Sequence, residues 1–131
     1  MSEAPRVYGR HFTPVEANAM LPRLRPMLER LRDAKGELTD AEAHEALSDA
    51  APGNGGGSPG RQVGEGFLEV RGILGAFEQA GIVIKDIDRG LIDFPAIIDG
   101  REVFLCWELG EDEVAHWHDL ESGYGGREPL D

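Results

Sequence analysis

The chain has 131 residues, enough for one domain built on one core. Lys plus Arg number 13 against 25 Asp plus Glu, a formal charge of −12, so phosphate backbones and anionic lipid surfaces are repelled. Nucleic acid and membranes are therefore not expected partners, whereas cations and basic protein surfaces are.

The opening Met1-Ser2-Glu3-Ala4-Pro5-Arg6-Val7 lacks an apolar signal core, and no apolar run approaches the roughly 20 residues of a membrane span. A cytoplasmic location is the expectation. Thr13-Pro14-Val15-Glu16 then starts a helix: Thr13 caps, Pro14 suits the first helical position and Glu16 closes a capping box. Ala17, Leu21, Leu24, Leu28 and Leu31 recur at spacings of four and three, an apolar seam along one side. Pro22 and Pro26 interrupt its backbone hydrogen bonding and predict a bend. His11, just before the cap, reads as a local packing residue.

Thr39-Asp40-Ala41-Glu42 begins an Ala/Glu-rich stretch in which His44 reads as a solvated helix residue. The glycine-rich run near 52–60 reads as a flexible surface insertion, since its glycines bury nothing. It is not a phosphate loop, because no strand precedes it and no Gly-Lys-Ser/Thr follows. A second seam, Val63, Phe67, Val70, Leu74 and Phe77, ends at Gly81, where a helix C-cap is expected. Two matching seams predict an antiparallel helical hairpin over 12–81.

From Ile82 the pattern changes to four extended segments, Ile82 to Asp88, Leu91 to Ile98, Arg101 to Leu109 and Glu113 to Leu120. Asp99-Gly100 is a strong two-residue hairpin signal. The expected fold is α+β: an antiparallel two-helix hairpin on a four-stranded antiparallel β-meander at 82–120, followed by a tail at 121–131, all in one domain. If the turns are tight, Asp86 lies opposite Asp93, Asp93 opposite Cys106, and Cys106 opposite His116. Ile92, Phe94, Ala96, Ile98, Val103, Leu105, Trp107, Ala115 and Trp117 then share the core side. The other side carries Asp86, Asp93, Cys106, Glu108, His116 and His118 among Ile84, Leu91, Pro95, Ile97, Phe104 and Val114. A one-residue slip at the 110–112 turn would exchange Trp117 with the histidines.

The string Gly81-Ile82-Val83-Ile84-Lys85-Asp86-Ile87-Asp88-Arg89-Gly90-Leu91-Ile92-Asp93-Phe94-Pro95-Ala96, followed by Gly100-Arg101-Glu102-Val103, Leu105-Cys106-Trp107, Leu109-Gly110-Glu111 and Trp117-His118-Asp119-Leu120, resembles domain of unknown function 2203. Phe12-Thr13-Pro14-Val15-Glu16-Ala17-Asn18 is similar to that family's opening segment. The resemblance implies a small prokaryotic cytosolic protein and brings no activity with it.

Three functional readings follow from the residues. His116 and His118 face one way on a strand, and with Cys106, and Asp93 or Glu108 as a further ligand, they form a candidate metal site. Thiolate with imidazole favours Zn2+ or Fe2+ over magnesium. The competing bland reading has these histidines bonded to backbone or carboxylate. Alternatively, the mixed sheet face packs against a second copy, making a metal-free homo-oligomer, unless the tail folds back over it. A nucleophilic Cys106 ranks last, because no helix N-terminus or glycine elbow adjoins it to stabilise thiolate or oxyanion.

Overall fold

In the computed structural model, residues 6–50 and 58–130 are described, with only the backbone for 41–50 and 58–63. The capping box forms: Glu16 N–H donates to Thr13 Oγ1 at 3.1 Å and Thr13 N–H to Glu16 Oε1 at 2.9 Å. Helix α1 spans Pro14–Ala50 and passes through Pro22 and Pro26, both on its exposed side. Ala17, Leu21, Leu24, Leu28 and Leu31 are all buried, as their spacing requires.

Helix α2 spans Ser58–Ala80. Of the insertion expected at 52–60, residues 52–57 lie outside the described residues, and Ser58-Pro59-Gly60 instead open this helix. The side chains of His44 and of Val63, the first residue of the second seam, also lie outside them. Arg30 meets Glu69, and Gly66 approaches Ala34 and Leu38, so residue numbers rise along one helix as they fall along the other. The α2 seam is rotated from the expected one. Phe77 is buried and Val70, Ile73 and Ala80 pack on the core, while Phe67 and Leu74 are exposed. The cause is local: Gly66 sits against Leu38, and the face through 66, 70, 73, 77 and 80 follows from that approach at 3.6 residues per turn. At the C-terminus, Ile82 N–H bonds Phe77 O and Gly81 N–H bonds Glu78 O, with Gly81 at φ 81°, a Schellman cap.

The sheet has five antiparallel strands in chain order: β1 Val83–Asp86, β2 Leu91–Ile98, β3 Arg101–Glu108, β4 His116–Asp119 and β5 Glu128–Pro129. Four were expected; the fifth comes from the tail, whose Leu130 N–H also bonds Ala115 O at 2.8 Å. Asp99 and Gly100, with φ of 52° and 78°, form the two-residue turn between β2 and β3. Asp93 pairs with Cys106 and Cys106 with His116, as the tight-turn register requires. Trp117 accordingly pairs with Leu105 and packs on the helix-facing core.

The first turn differs. Asp86 pairs with Leu91, Val83 takes the place opposite Asp93, and the ladder is irregular between Ile84 and Asp86. Residues 87–90 form a four-residue turn in which Asp86 Oδ1 accepts from Arg89 N–H. Ile84 therefore belongs to the core side, and Asp86 does not stand beside Asp93. Val114 also moves to the core, because Asn18 of α1 binds its N–H at 2.7 Å before β4 begins and turns its side chain inward. Among the described residues, no helix is long and apolar enough to cross a membrane.

The sheet face away from the helices is not an open surface. Leu91, Pro95 and Phe104 are buried there, and only Ile97 among the apolar residues expected on it is exposed. Residues 6–11 run across one end, where Tyr8 packs on Phe104 at a ring separation of 5.3 Å. At the other end, the guanidinium groups of Arg89 and Arg127 both lie over the Tyr124 ring, 4.2 and 4.6 Å from its centroid.

Candidate metal centre

Alternation along β2, β3 and β4 puts Asp93, Cys106 and His118 on the covered face, and the ladder brings them together. One ligand atom from each lies within 4.8 Å of the other two, and all three residues are buried. His118 reaches diagonally over β3, its Nε2 3.0 Å from Asp93 Oδ1. Its other nitrogen, Nδ1, is 2.7 Å from the Asp119 carbonyl. A carbonyl oxygen only accepts, so Nδ1 carries a proton and donates it. Nε2 and Asp93 Oδ1 then share one proton between them, on the imidazole or on the carboxyl. This second bond fixes the ring so that Nε2 is the atom turned into the group, the orientation that metal-binding histidines use.

Burial raises the Asp93 carboxyl, and His118, Lys85 and Cys106 only partly offset that. Lys85 Nζ stands 4.0 Å from Asp93 Oδ2 and 4.8 Å from the Phe104 ring centroid. The Cys106 thiol is pushed up to about 12 by burial and by Asp93, so at neutral pH it holds its proton. That removes the thiolate a nucleophilic cysteine needs.

The other residues singled out in the sequence lie elsewhere. His116 stands opposite Cys106 in the ladder, but its Nδ1 accepts from Arg127, with Glu111 Oε2 3.8 Å away. Glu108 pairs with Arg89 at 2.8 Å. Neither joins the three-residue group. His11, read as a packing residue, is instead bonded to Glu102 at 2.8 Å.

Four residues that frame the site escaped the sequence reading: Tyr8, Lys85, Glu102 and Arg127. Glu102 was within reach of it, since it precedes Phe104 and Cys106 at period two on the same face. Tyr8 and Arg127 arrive from segments with no periodicity; the tail that carries Arg127 was expected at most to fold back over this face, without a role for any one of its side chains.

No curated protein and no solved structure matches the chain. A family described as an uncharacterized conserved protein, DUF2203, matches residues 10–130. That span takes in both helices, the whole sheet and all three residues of the group, and the chain belongs to this family.

Proposed function

We propose that the protein binds a divalent transition metal through Asp93, Cys106 and His118. The observation that carries this reading is the convergence of three different ligand types within 4.8 Å, with the imidazole held by its far nitrogen. The ion would replace two protons, the one shared by Nε2 and Asp93 and the one on the thiol. Sulfur, nitrogen and oxygen together suit Zn2+ or Fe2+. Three protein donors leave a tetrahedral ion one further position, which a water or an exogenous group fills. Lys85, 40 % exposed at its side chain, has room to swing outward as the cation takes over its role beside Asp93.

The test is elemental analysis of tag-free protein after zinc or ferrous iron is supplied. Wild type should retain close to one ion per chain, and Asp93→Asn, Cys106→Ser and His118→Ala should each retain much less. His116→Ala should match wild type, because His116 faces Arg127. Wild type carrying no more metal than His118→Ala ends the proposal.

A second reading, a metal-free self-associating protein in the cytoplasm, draws on a different surface from the one first expected. With the mixed sheet face covered by the chain itself, the exposed apolar side chains among the described residues include the adjacent pair Phe67, 55 % exposed, and Leu68, 64 % exposed, on α2, with Leu74 further along the same helix. A second copy is the partner this reading calls for.

A further inference from the structure

We infer that residues 6–11 form a strap that opens to give access to the Asp93, Cys106 and His118 group, with the Glu102 carboxylate as its latch. The claim that ions use this route rests on the metal reading above; the opening itself does not.

The latch is concentrated on one side chain. Val7 N–H donates to Glu102 Oε1 at 2.8 Å, Tyr8 N–H to Oε2 at 3.0 Å, and the His11 ring lies 2.8 Å from Oε2. Arg6 adds a bond to Gly100 O, Arg10 one to Ala80 O at 3.0 Å, and Phe12 N–H bonds Pro95 O on the part of β2 that β1 leaves unpaired. Phe12 is buried on the helix side, edge-on to Phe94. It anchors the strap's far end when the rest lifts.

Tyr8 is the strap's contact with the covered face. It packs on Phe104, whose ring is in turn 5.4 Å from that of His118. Lifting Tyr8 uncovers Phe104 and the imidazole next to it. The other cover, the tail, is held quite differently. It is paired as β5 with His116 and Trp117, places Leu130 against the core, and ties Arg127 to Glu111 at 2.5 Å. A strand in a ladder opens with the sheet, whereas a segment outside any ladder, with three of its bonds on one carboxylate, opens locally at lower free energy. Access therefore runs past the strap.

Cys106 is the chain's single thiol, so its labelling by an aromatic disulfide reagent reports the opening without reference to any metal. In native full-length protein the reaction should be slow and only weakly dependent on urea below the unfolding transition, the mark of local opening. Glu102→Gln should label faster, by about tenfold to a hundredfold, the scale of losing hydrogen bonds to a charged acceptor, and Tyr8→Ala, which keeps its backbone bond to Glu102 but takes the ring off Phe104, should also label faster. Both should keep the weak urea dependence, and Arg127→Ala should accelerate labelling less than either. Strap variants that label no faster than wild type overturn the inference. So does a wild-type rate that rises with urea as steeply as global unfolding, or an Arg127→Ala variant that labels fastest. Repeating the series with added zinc separates the two claims. Protection of Cys106 by zinc supports both, while fast strap variants without zinc protection keep the strap and end the metal reading.

Discussion

The two faces of the sheet are buried by opposite means. On one, Ile92, Phe94, Ala96, Val103, Leu105 and Trp107 meet the leucines of α1, and apolar area removed from water accounts for the stability. On the other, Asp93, Cys106 and His118 are just as inaccessible, yet they lie under a short strap, a lysine and a stacked arginine. There each polar group is satisfied by another: among the described residues no buried side-chain nitrogen or oxygen lacks a hydrogen-bond partner. The first face is a core closed by a helix. The second is closed by irregular segments, and it holds titratable groups whose protons an ion could displace.

The largest effect should come from the helix side. Trp107 is fully buried and donates its indole N–H to Glu111 O at 3.1 Å, so Trp107→Ala should cost about 3–5 kcal/mol in urea unfolding. Trp117 is only partly buried, at a position where Arg101 lies over its ring, and Trp117→Ala should cost distinctly less. Equal losses at the two would show that the core does not divide as described.

The second face should respond to alkali instead. The Cys106 thiol is raised from 9.0 to about 12 by folding, so its contribution to stability is fully present below pH 9 and is lost as pH rises toward 12. The unfolded chain releases the thiol proton first. At pH 10 the loss is roughly 1.4 kcal/mol, following from 1.36 kcal/mol per pKa unit. Cys106→Ser, which has nothing to titrate there, should show a flatter stability profile between pH 8 and 10. Parallel profiles would mean that the thiol is not confined beside Asp93.

The difference between the faces also decides what the sequence discloses. The α1 seam and the row Asp93, Cys106, His116 are legible because helix and strand periods fix which residues share a side, and Asp99-Gly100 fixes the register. Asp86 is misplaced by that logic because the turn after it has four residues rather than two, a length that Arg89-Gly90 does not declare. Val114 is misplaced because Asn18, far away in sequence, captures its backbone. The site is half legible for the same reason. Period two puts His116 and His118 on one face, but which imidazole turns toward Cys106 is decided by Arg127 and by the Asp119 carbonyl.

A smaller effect, in acid, tests the strap end of the covered face. Burial raises the Glu102 carboxyl, but the His11 ring and the Val7 and Tyr8 amides outweigh it and hold the group below its usual 4.5. Its contribution is therefore present above pH 4.5 and is lost as pH falls through the lower folded value. Wild type should be more stable than Glu102→Gln at pH 6, with the gap narrowing below pH 4.5. A gap independent of pH would show that the carboxylate charge is not what holds residues 6–11.

The smallest effect on stability is expected outside both faces, on the flank of α2. Phe67 was expected in the helix seam and Leu68 is its neighbour in the chain, but the rotation that seats Phe77 and Ile73 leaves both in solvent. Side chains that bury little in the folded chain contribute little to it, so Phe67→Ser with Leu68→Ser should leave stability within about 0.5 kcal/mol per site at low protein concentration. Solution mass should behave differently if this flank is where copies meet. Wild type would then sediment above the monomer mass at high concentration, and the double variant would return to it, because two exposed large apolar side chains side by side on one helix are what an isologous contact would bury. A wild type that stays monomeric at every concentration leaves the flank as plain surface, and the second functional reading goes with it.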